Sequence, residues 1–312
     1  MISLSKKYLT SIEDLSEDEI RYLISQAIEF KTKKSDNGNN NQILAGKTLA
    51  LMFEKPSTRT RLSFEAAMYQ LGGNTIYLNA NDLQLSRGES IQDTAKTISL
   101  YVDCLVSRVH SHNTIIELSQ NCKIPLINGL SDLYHPCQSL ADLMTILEYK
   151  KSFKGLTLAW IGDGNNVCND LLMGCAKVGI NIRAAIPEGY EPPQHVLEVV
   201  THESKLKQTG FTIVREPVDA VKNADVVVTD TFVSIGKEKE GDKRKSIFIP
   251  KYQVNDQLMN YSKDNAIFLH CLPAKRGQEV TSEVIDGKKS VVWDEAENRL
   301  HVQKSLLVSL LI

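Results

Sequence analysis

Two hydrophobic rhythms alternate along the chain. Short apolar, β-branched runs predict strands at Thr48–Phe53, Thr75–Leu78, Cys104–Ser107, Pro125–Ile127, Leu156–Ile161, Ile182–Ile186, Thr212–Val214, Val226–Thr229, Ile267–His270 and Val291–Trp293. Between them lie segments whose apolar residues recur at helical spacing, among them Ser90–Tyr101, Ile115–Gln120, Cys137–Tyr149 and His195–Leu206. Such alternation predicts parallel sheets with helices on both faces. Ten strands are too many for one small open sheet, so the chain is expected to form two doubly wound α/β domains, over residues 1–149 and 150–298. The break is placed in the polar, basic segment Tyr149–Gly155. The apolar end of the chain, L-L-V-S-L-L-I, predicts a buried C-terminal helix within residues 299–312 that returns to the first domain.

Two stretches carry neither rhythm. Ser35–Gln42 is too polar to pack and reads as a surface loop. The charged run Lys237–Lys245 reads as a solvated, mobile loop, with room for a lid directly after Ser234, Ile235 and Gly236.

Composition narrows the function classes. A chain of 312 residues suits two domains, and 42% apolar with 24% charged residues is ordinary for a globular protein. The net charge of −2 argues against a nucleic-acid partner, so small anionic substrates would have to be drawn by local clusters of charge. Six scattered cysteines with no C-x-x-C spacing indicate neither a zinc site nor a disulfide framework, and free thiols fit a reducing cytoplasm. The N-terminus lacks the apolar core of a signal peptide, and the longest apolar run is too short to span a bilayer, so no membrane is expected.

The most informative segment is Phe53–Gly73, F-E-K-P-S-T-R-T-R-L-S-F-E-A-A-M-Y-Q-L-G-G. Ser57 is placed as the N-cap of a helix that runs to Leu71 and stops at Gly72 and Gly73. The amides of Thr58, Arg59 and Thr60 would then point outward as an anion site, helped by the helix dipole. Three hydroxyls and two guanidinium groups crowd the same turn, and arginine forks match phosphate oxygens two at a time. A bare S-x-x-T cap is usually just a cap; this density of phosphate-type groups after a buried strand favours the anion site.

Other segments carry weaker signals. His135-Pro136-Cys137-Gln138 opens a second long helix, although a lone histidine is more often structural. The turn G-D-G-N-N-V lacks the third glycine of a dinucleotide fingerprint, and no acidic ribose ligand follows the next strand, Glu188 lying on a turn. Asp230 sits just beyond the run D-V-V-V-T, where a carboxylate is better placed to pair with an amino acid's ammonium than to serve the core. Cys271 stands at a strand end between His270 and Leu272-Pro273, a better place for a site residue than for a packing cysteine.

P-S-T-R-T-R, H-P-C-Q, T-D-T-F-V-S-I-G, H-C-L-P and A-E-N-R occur in the order and at the spacing of the carbamoyltransferases, and the chain resembles those that act on ornithine. The resemblance covers nearly the whole chain. It implies that Ser57, Thr58, Arg59 and Thr60 hold the phosphate of carbamoyl phosphate, with Thr60 also near the carbonyl oxygen. It implies that Arg108, His135 and Gln138 contact the carbamoyl group and that Cys271, Leu272 and Arg299 join from the far end of the chain. Fixed donors from Arg108, His135 and Thr60 would stabilise the charge on a tetrahedral intermediate as an oxyanion hole does. Neither a metal nor an organic cofactor is implied.

For the amino acid, the resemblance implies Asn166 at the α-carboxylate of L-ornithine and Ser234 and Ile235 at its head group, with Asp230 and Cys271 near the δ-amine. Ile235 stands where the ornithine enzymes have Met. The loop Asn81–Ser90 would carry Gln84 into a neighbouring subunit's site, implying a homotrimer or a multiple of trimers whose domains close on their substrates. Citrulline would be the product, as in arginine biosynthesis. The alternatives are less well matched. An aspartate enzyme would carry a lysine near Gln84 and lack H-C-L-P, and putrescine has no carboxylate for Asn166 and Ser234. An enzyme using N-acetylornithine is a further rival. A non-catalytic sensor on the same fold could dispense with His135 or Cys271.

Overall fold

The computed structural model describes residues 4–33, 42–233 and 238–312. The first half runs β1 (Tyr8–Leu9), α1 (Glu17–Lys33), β2 (Thr48–Phe53), α2 (Thr58–Gln70), β3 (Asn74–Asn79), α3 (Ile91–Ile98), β4 (Cys104–Arg108), α4 (His112–Asn121), β5 (Leu126–Leu130) and α5 (Pro136–Lys150). The second runs β6 (Thr157–Ile161), α6 (Asn166–Val178), β7 (Asn181–Ala185), α7 (Gln194–Leu206), β8 (Phe211–Val214), α8 (Pro217–Val221) and β9 (Val226–Thr229). It continues with α9 (Gly241–Phe248), α10 (Asp256–Met259), β10 (Ile267–Leu269), α11 (Ser282–Ile285) and α12 (Val292–Leu311).

The strands form two five-stranded sheets, ordered β1-β5-β4-β2-β3 and β10-β9-β6-β7-β8, in which every pairing is parallel. Central strands of such sheets are covered on both faces and read as unbroken apolar runs. β2 is T-L-A-L-M-F with five of its six residues buried, and β9 is V-V-V-T, buried throughout. The two doubly wound halves expected from the alternation are therefore present. Contacts divide the chain into one compact unit of residues 1–144 with Glu297–Ile312 and another of Thr145–Ala296.

The end of α12 belongs to the first unit. Val302, Leu306 and Leu307 are fully buried, Ser305 Oγ donates to Gln26 Oε1 of α1 at 2.8 Å, and Lys31 Nζ donates to Asn298 Oδ1 at 2.8 Å. Among the described residues no helix is long and apolar enough to cross a membrane.

Two expectations need correction, and one strand was not expected. Val291–Trp293 is not a strand. Only Ser290 bridges Phe268, and Val292 already opens α12, whose first turn carries Asp294 and Glu295 where the helix dipole favours acids. Tyr8–Leu9, too short to show a period, is a strand that borrows its order from β5. The charged run near Lys237–Lys245 is in part ordered helix: α9 begins at Gly241, and Arg244 is buried. Its Nε donates to the Phe232 carbonyl at 2.6 Å and its guanidinium bonds to Asp163. Asp163 is too far away in sequence for a local reading to find. Residues 35–41 and 234–237 lie outside the described residues, and with them most of the polar loop and the Ser234 and Ile235 expectations.

His301 on α12 is fully buried. Burial, with Lys304 and Lys31 nearby, pushes its imidazole down to about 4 against the opposing pull of Glu297, 3.5 Å away. The unfolded chain takes up this proton near pH 6.5 and the folded chain only near about 4. Between these values the unfolded state binds more protons, so stability falls as pH falls. The Tm is expected to drop more steeply between pH 6.5 and 4 in the parent than in His301→Gln. Equal slopes in thermal unfolding would contradict this assignment.

Candidate active site

β2 ends at Phe53, and the chain turns into α2 through Ser57, whose extended backbone (φ −154°) and hydroxyl cap the helix by accepting the Thr60 amide at 3.3 Å. The amides of Thr58 and Arg59 precede the first intrahelical bond and face outward as donors. The first-turn residues then part company. Thr60 is buried, Ser57 and Arg59 half-buried, and Thr58 exposed. Arg61 turns away: its Nε bonds to Glu65 Oε1 at 2.9 Å and its guanidinium stacks 3.8 Å from the Tyr77 ring. Of the two guanidinium groups expected at the anion site, only that of Arg59 remains for it.

Thr60 leads inward to a buried polar cluster. Arg299 of α12 donates to Thr60 Oγ1 at 3.3 Å and to Gln138 Oε1 at 2.6 Å, joining α2, α5 and α12. His135 caps α5, its carbonyl accepting from the amides of Gln138 and Ser139, and Pro136 follows at the position that needs no hydrogen. The loop before it is fixed by Ser131, whose amide donates to the Tyr134 carbonyl and whose hydroxyl accepts the Tyr134 amide at 3.2 Å, and by Asn128, which donates to the Thr10 carbonyl at 2.7 Å. Arg108 ends β4 at an irregularity where its partner on β5 skips from Asn128 to Leu130. Gly129 fills the gap because a Cβ there would stand 3.1 Å from Val106 and 3.6 Å from the Thr60 methyl.

His135 is held in its neutral form. Burial first, then the positive fields of Arg299, Arg108 and Arg59, keep its imidazole well below the usual range. It can donate a hydrogen bond to a developing oxyanion without being an acid in its own right.

The second unit builds a different kind of site at the carboxyl ends of β6, β9 and β10. Asp230, beyond β9, is buried and accepts three bonds: from Asn165 Nδ2 at 2.7 Å, from the Thr231 amide at 2.7 Å, and from the Cys271 thiol at 3.2 Å. Asn165 is also the N-cap of α6, accepting from the amides of Val167 and Cys168 at 3.0 Å each. Asn166, half-buried, is the first residue of that helix. Gly164 in the same turn serves packing, since a Cβ there would lie 2.4 Å from the Pro192 nitrogen.

The H-C-L-P turn is held from inside by His270, which is fully buried. Its amide donates to Glu295 Oε2 at 2.8 Å, and its Nδ1 accepts the Leu272 amide at 2.9 Å. An amide only donates, so the ring proton sits on Nε2, which faces Glu279 Oε1 at 3.1 Å. This pins Leu272 in the left-handed region at φ +56°, which costs a non-glycine residue on the order of 1–3 kcal/mol. Asp230, His270 and Cys271 could gather ligand atoms within 4.8 Å of one another. Both ring nitrogens of His270 are already committed to the turn, so the trio fits structure better than a metal ion.

The structure thus brings Thr60, Gln138 and Arg299 together, with the charges of Arg59, Arg108 and Arg299 acting on His135, in the first unit. It brings Asp230 and Cys271 together in the second. Gln84 opens a 3-10 turn, Gln84–Arg87, and is exposed on the first unit. Four residues were not singled out in the sequence: Asn165 and Asp142, which bond to Asp230 and Gln138, and Glu279 and Glu295, which bond to His270 beneath the turn. Only Asn165 left a local signal, as an Asn preceding a helix.

Two family models match the chain. Residues 7–148 match the aspartate/ornithine carbamoyltransferase carbamoyl-P binding domain, and residues 154–310 the Asp/Orn binding domain of the same family. The ornithine carbamoyltransferase of Cenarchaeum symbiosum is 54% identical over 98% of this chain and 98% of its own. That of Bacillus subtilis is 49% identical over 99% of this chain and 95% of its own. The solved ornithine carbamoyltransferase of Pyrococcus furiosus superposes with a TM-score of 0.94 at 47% identity, covering 98% of this chain and 97% of that one. With both halves matched end to end, the chain belongs to the aspartate/ornithine carbamoyltransferase family.

Proposed function

We propose that this protein transfers the carbamoyl group of carbamoyl phosphate to the δ-amine of L-ornithine, giving L-citrulline and phosphate. The choice of ornithine rests on the thiol–carboxylate pair of Cys271 and Asp230, reinforced by full-length relatives at about half identity that carry this activity in their names. Ser57, Thr58, Arg59 and Thr60 hold the phosphate, and Arg108, His135 and Thr60 face the carbonyl oxygen. Gln138 contacts the carbamoyl group, and Arg299, Cys271 and Leu272 complete its surroundings. Asn166, Ser234 and Ile235 receive the amino-acid head group.

The chemistry suits these groups. An ornithine-like amine has a pKa near ~10.4 and must lose a proton before its lone pair can attack. Attack forms the new C–N bond and places negative charge on the carbonyl oxygen; collapse breaks the C–O bond and releases phosphate. Neutral His135 stabilises the oxyanion as a donor, and the cationic turn of α2 stabilises the leaving group. The Asp230–Cys271 pair lies at the amine, placed to steer or accept that proton.

We further propose a homotrimer, or an assembly of trimers, with exposed Gln84 reaching a neighbouring site, in the cytoplasm. The six free thiols accord with a reducing compartment.

Incubation with carbamoyl phosphate and L-ornithine is expected to yield citrulline, with L-aspartate, putrescine and N-acetylornithine giving little product. Carbamoyl phosphate bound without turnover, or a better rate with another amine, would refute the reading. The divergence of the two arginines gives a sharper test. Arg59→Ala should raise the KM for carbamoyl phosphate by at least about tenfold, the loss of a charge-assisted contact. Arg61→Ala, which removes only a surface pair and a ring stack, should change it by less than about twofold. Similar effects on the two would contradict the placement of the phosphate. His135→Ala should lower kcat by roughly 10²–10³, as for other oxyanion donors. A kcat within a factor of about three of the parent would remove His135 from that role.

A further inference from the structure

Asn165 is half-buried, and its amide joins two parts of the second unit. Oδ1 accepts the amides of Val167 and Cys168 at 3.0 Å each and so caps α6, while Nδ2 donates to Asp230 Oδ2, beyond β9, at 2.7 Å. The direction of this amide is forced by chemistry. Backbone amides only donate and an ionised carboxylate only accepts, so the reversed amide would set donor against donors at the helix and acceptor against acceptor at Asp230. The turn that carries Asn165 is itself pinned. The Gly164 amide donates to the Tyr190 carbonyl at 2.8 Å, Trp160 Nε1 donates to the Asp163 carbonyl at 3.1 Å, and the Asn165 carbonyl accepts the Asn169 amide at 2.8 Å. The other Asp230 oxygen takes the Thr231 amide and the Cys271 thiol, so the carboxylate is held at both oxygens.

We propose that Asn165 is a positioning residue that fixes the span between the head-group end of the amino-acid site, at Asn166, and its amine end, at Asp230 and Cys271, and so makes the site select a side chain of three methylenes. The inference rests on the reading of the second unit as the ornithine site. Asn166 is the next residue along the chain and the first of α6, so the group that receives the α-carboxylate and the group that holds Asp230 share one pinned turn. The span between the two ends is therefore one asparagine side chain and its bond, not the width of a flexible loop. L-Ornithine, L-lysine and L-2,4-diaminobutyrate carry the same head group and the same terminal ammonium, and the last two differ from the first by one methylene in either direction. A carboxylate free to swing would follow the ammonium of each. One tied to the head-group turn meets only the ammonium of the chain that fits, and a charge left short of its partner in a desolvated site is costly. Asn165 exerts this control through Asp230 and Asn166 without itself touching the substrate.

Calorimetric dissociation constants for the three diamino acids test this on the intact protein saturated with phosphonoacetamide, an unreactive analogue of carbamoyl phosphate with a methylene in place of the bridging oxygen. The parent should bind L-ornithine at least about tenfold more tightly than either of the other two, the usual worth of one methylene in a rigid pocket. Asn165→Ser and Asn165→Thr keep a hydroxyl that caps α6 but are too short to reach Asp230. They should bring the three constants within about threefold of one another, while the constant for phosphonoacetamide, held by the first unit, changes by less than about threefold. A residue that served only as a cap would leave the parent's preference intact in both variants, and that result overturns the proposal. So does a parent that binds all three alike, whether or not the variants fold. A crystal structure of the parent with phosphonoacetamide and L-ornithine gives a second reading: Asn165 Nδ2 should still lie within bonding distance of Asp230, and a broken bond overturns the proposal. A parent that prefers L-ornithine yet makes no citrulline would sink the proposed reaction and leave this inference standing.

Discussion

The imidazole of His135 lies buried in the positive fields of Arg299, Arg108 and Arg59, and the first unit is arranged around the balance of that charge. Burying guanidinium groups near one another is expensive unless anions or oriented acceptors offset the cost. Gln138 and Thr60 supply part of the offset through Arg299, and the capped end of α2 adds amide donors that make it worse in the absence of a ligand. A phosphate-bearing substrate resolves the conflict in one step. Burial, with the same field behind it, holds the histidine neutral, which suits the donor role proposed for it.

The second unit solves the opposite problem. A single buried carboxylate, Asp230, is surrounded by donors from Asn165, Thr231 and Cys271, which hold its orientation. Cys271 is fixed in turn by His270, Glu279 and Glu295 beneath the turn. This is a rigid negative group suited to a cationic amine. One half of the chain is therefore prepared for an anion and the other for a cation, which is what a reaction between an acyl phosphate and a diamino acid demands.

Much of this was legible in the sequence because it is local. The period of the apolar runs marks the sheets, and Ser57 announces the start of α2 through its side chain and the glycines that end the helix. The motifs at His135, Asp230 and Cys271 stand at strand ends, where parallel sheets place ligands. What escaped depends on contacts between distant parts of the chain. Arg61 sits beside Arg59 and looks equivalent until Tyr77 and Glu65 claim it. Arg244 reads as one charge in a solvated run until Asp163 buries it. Glu279 and Asp142 carry no motif of their own, and their meaning comes only from the side chains they hold. Val291–Trp293 failed for the opposite reason: an apolar triplet satisfies a strand pattern, but hydrogen bonding limits it to one bridge before the helix begins.

The central claim is that the cationic cluster about His135 is the seat of the acyl phosphate. A crystal structure with carbamoyl phosphate and an unreactive ornithine analogue lacking the δ-amine tests it most directly. The phosphate should lie on the amides and hydroxyls of Ser57–Thr60, the carbonyl oxygen within hydrogen-bond reach of Arg108, His135 and Thr60, and the Arg61 side chain still against Tyr77. Phosphate density away from the first turn of α2, with the His135 imidazole touching no ligand atom, would contradict it.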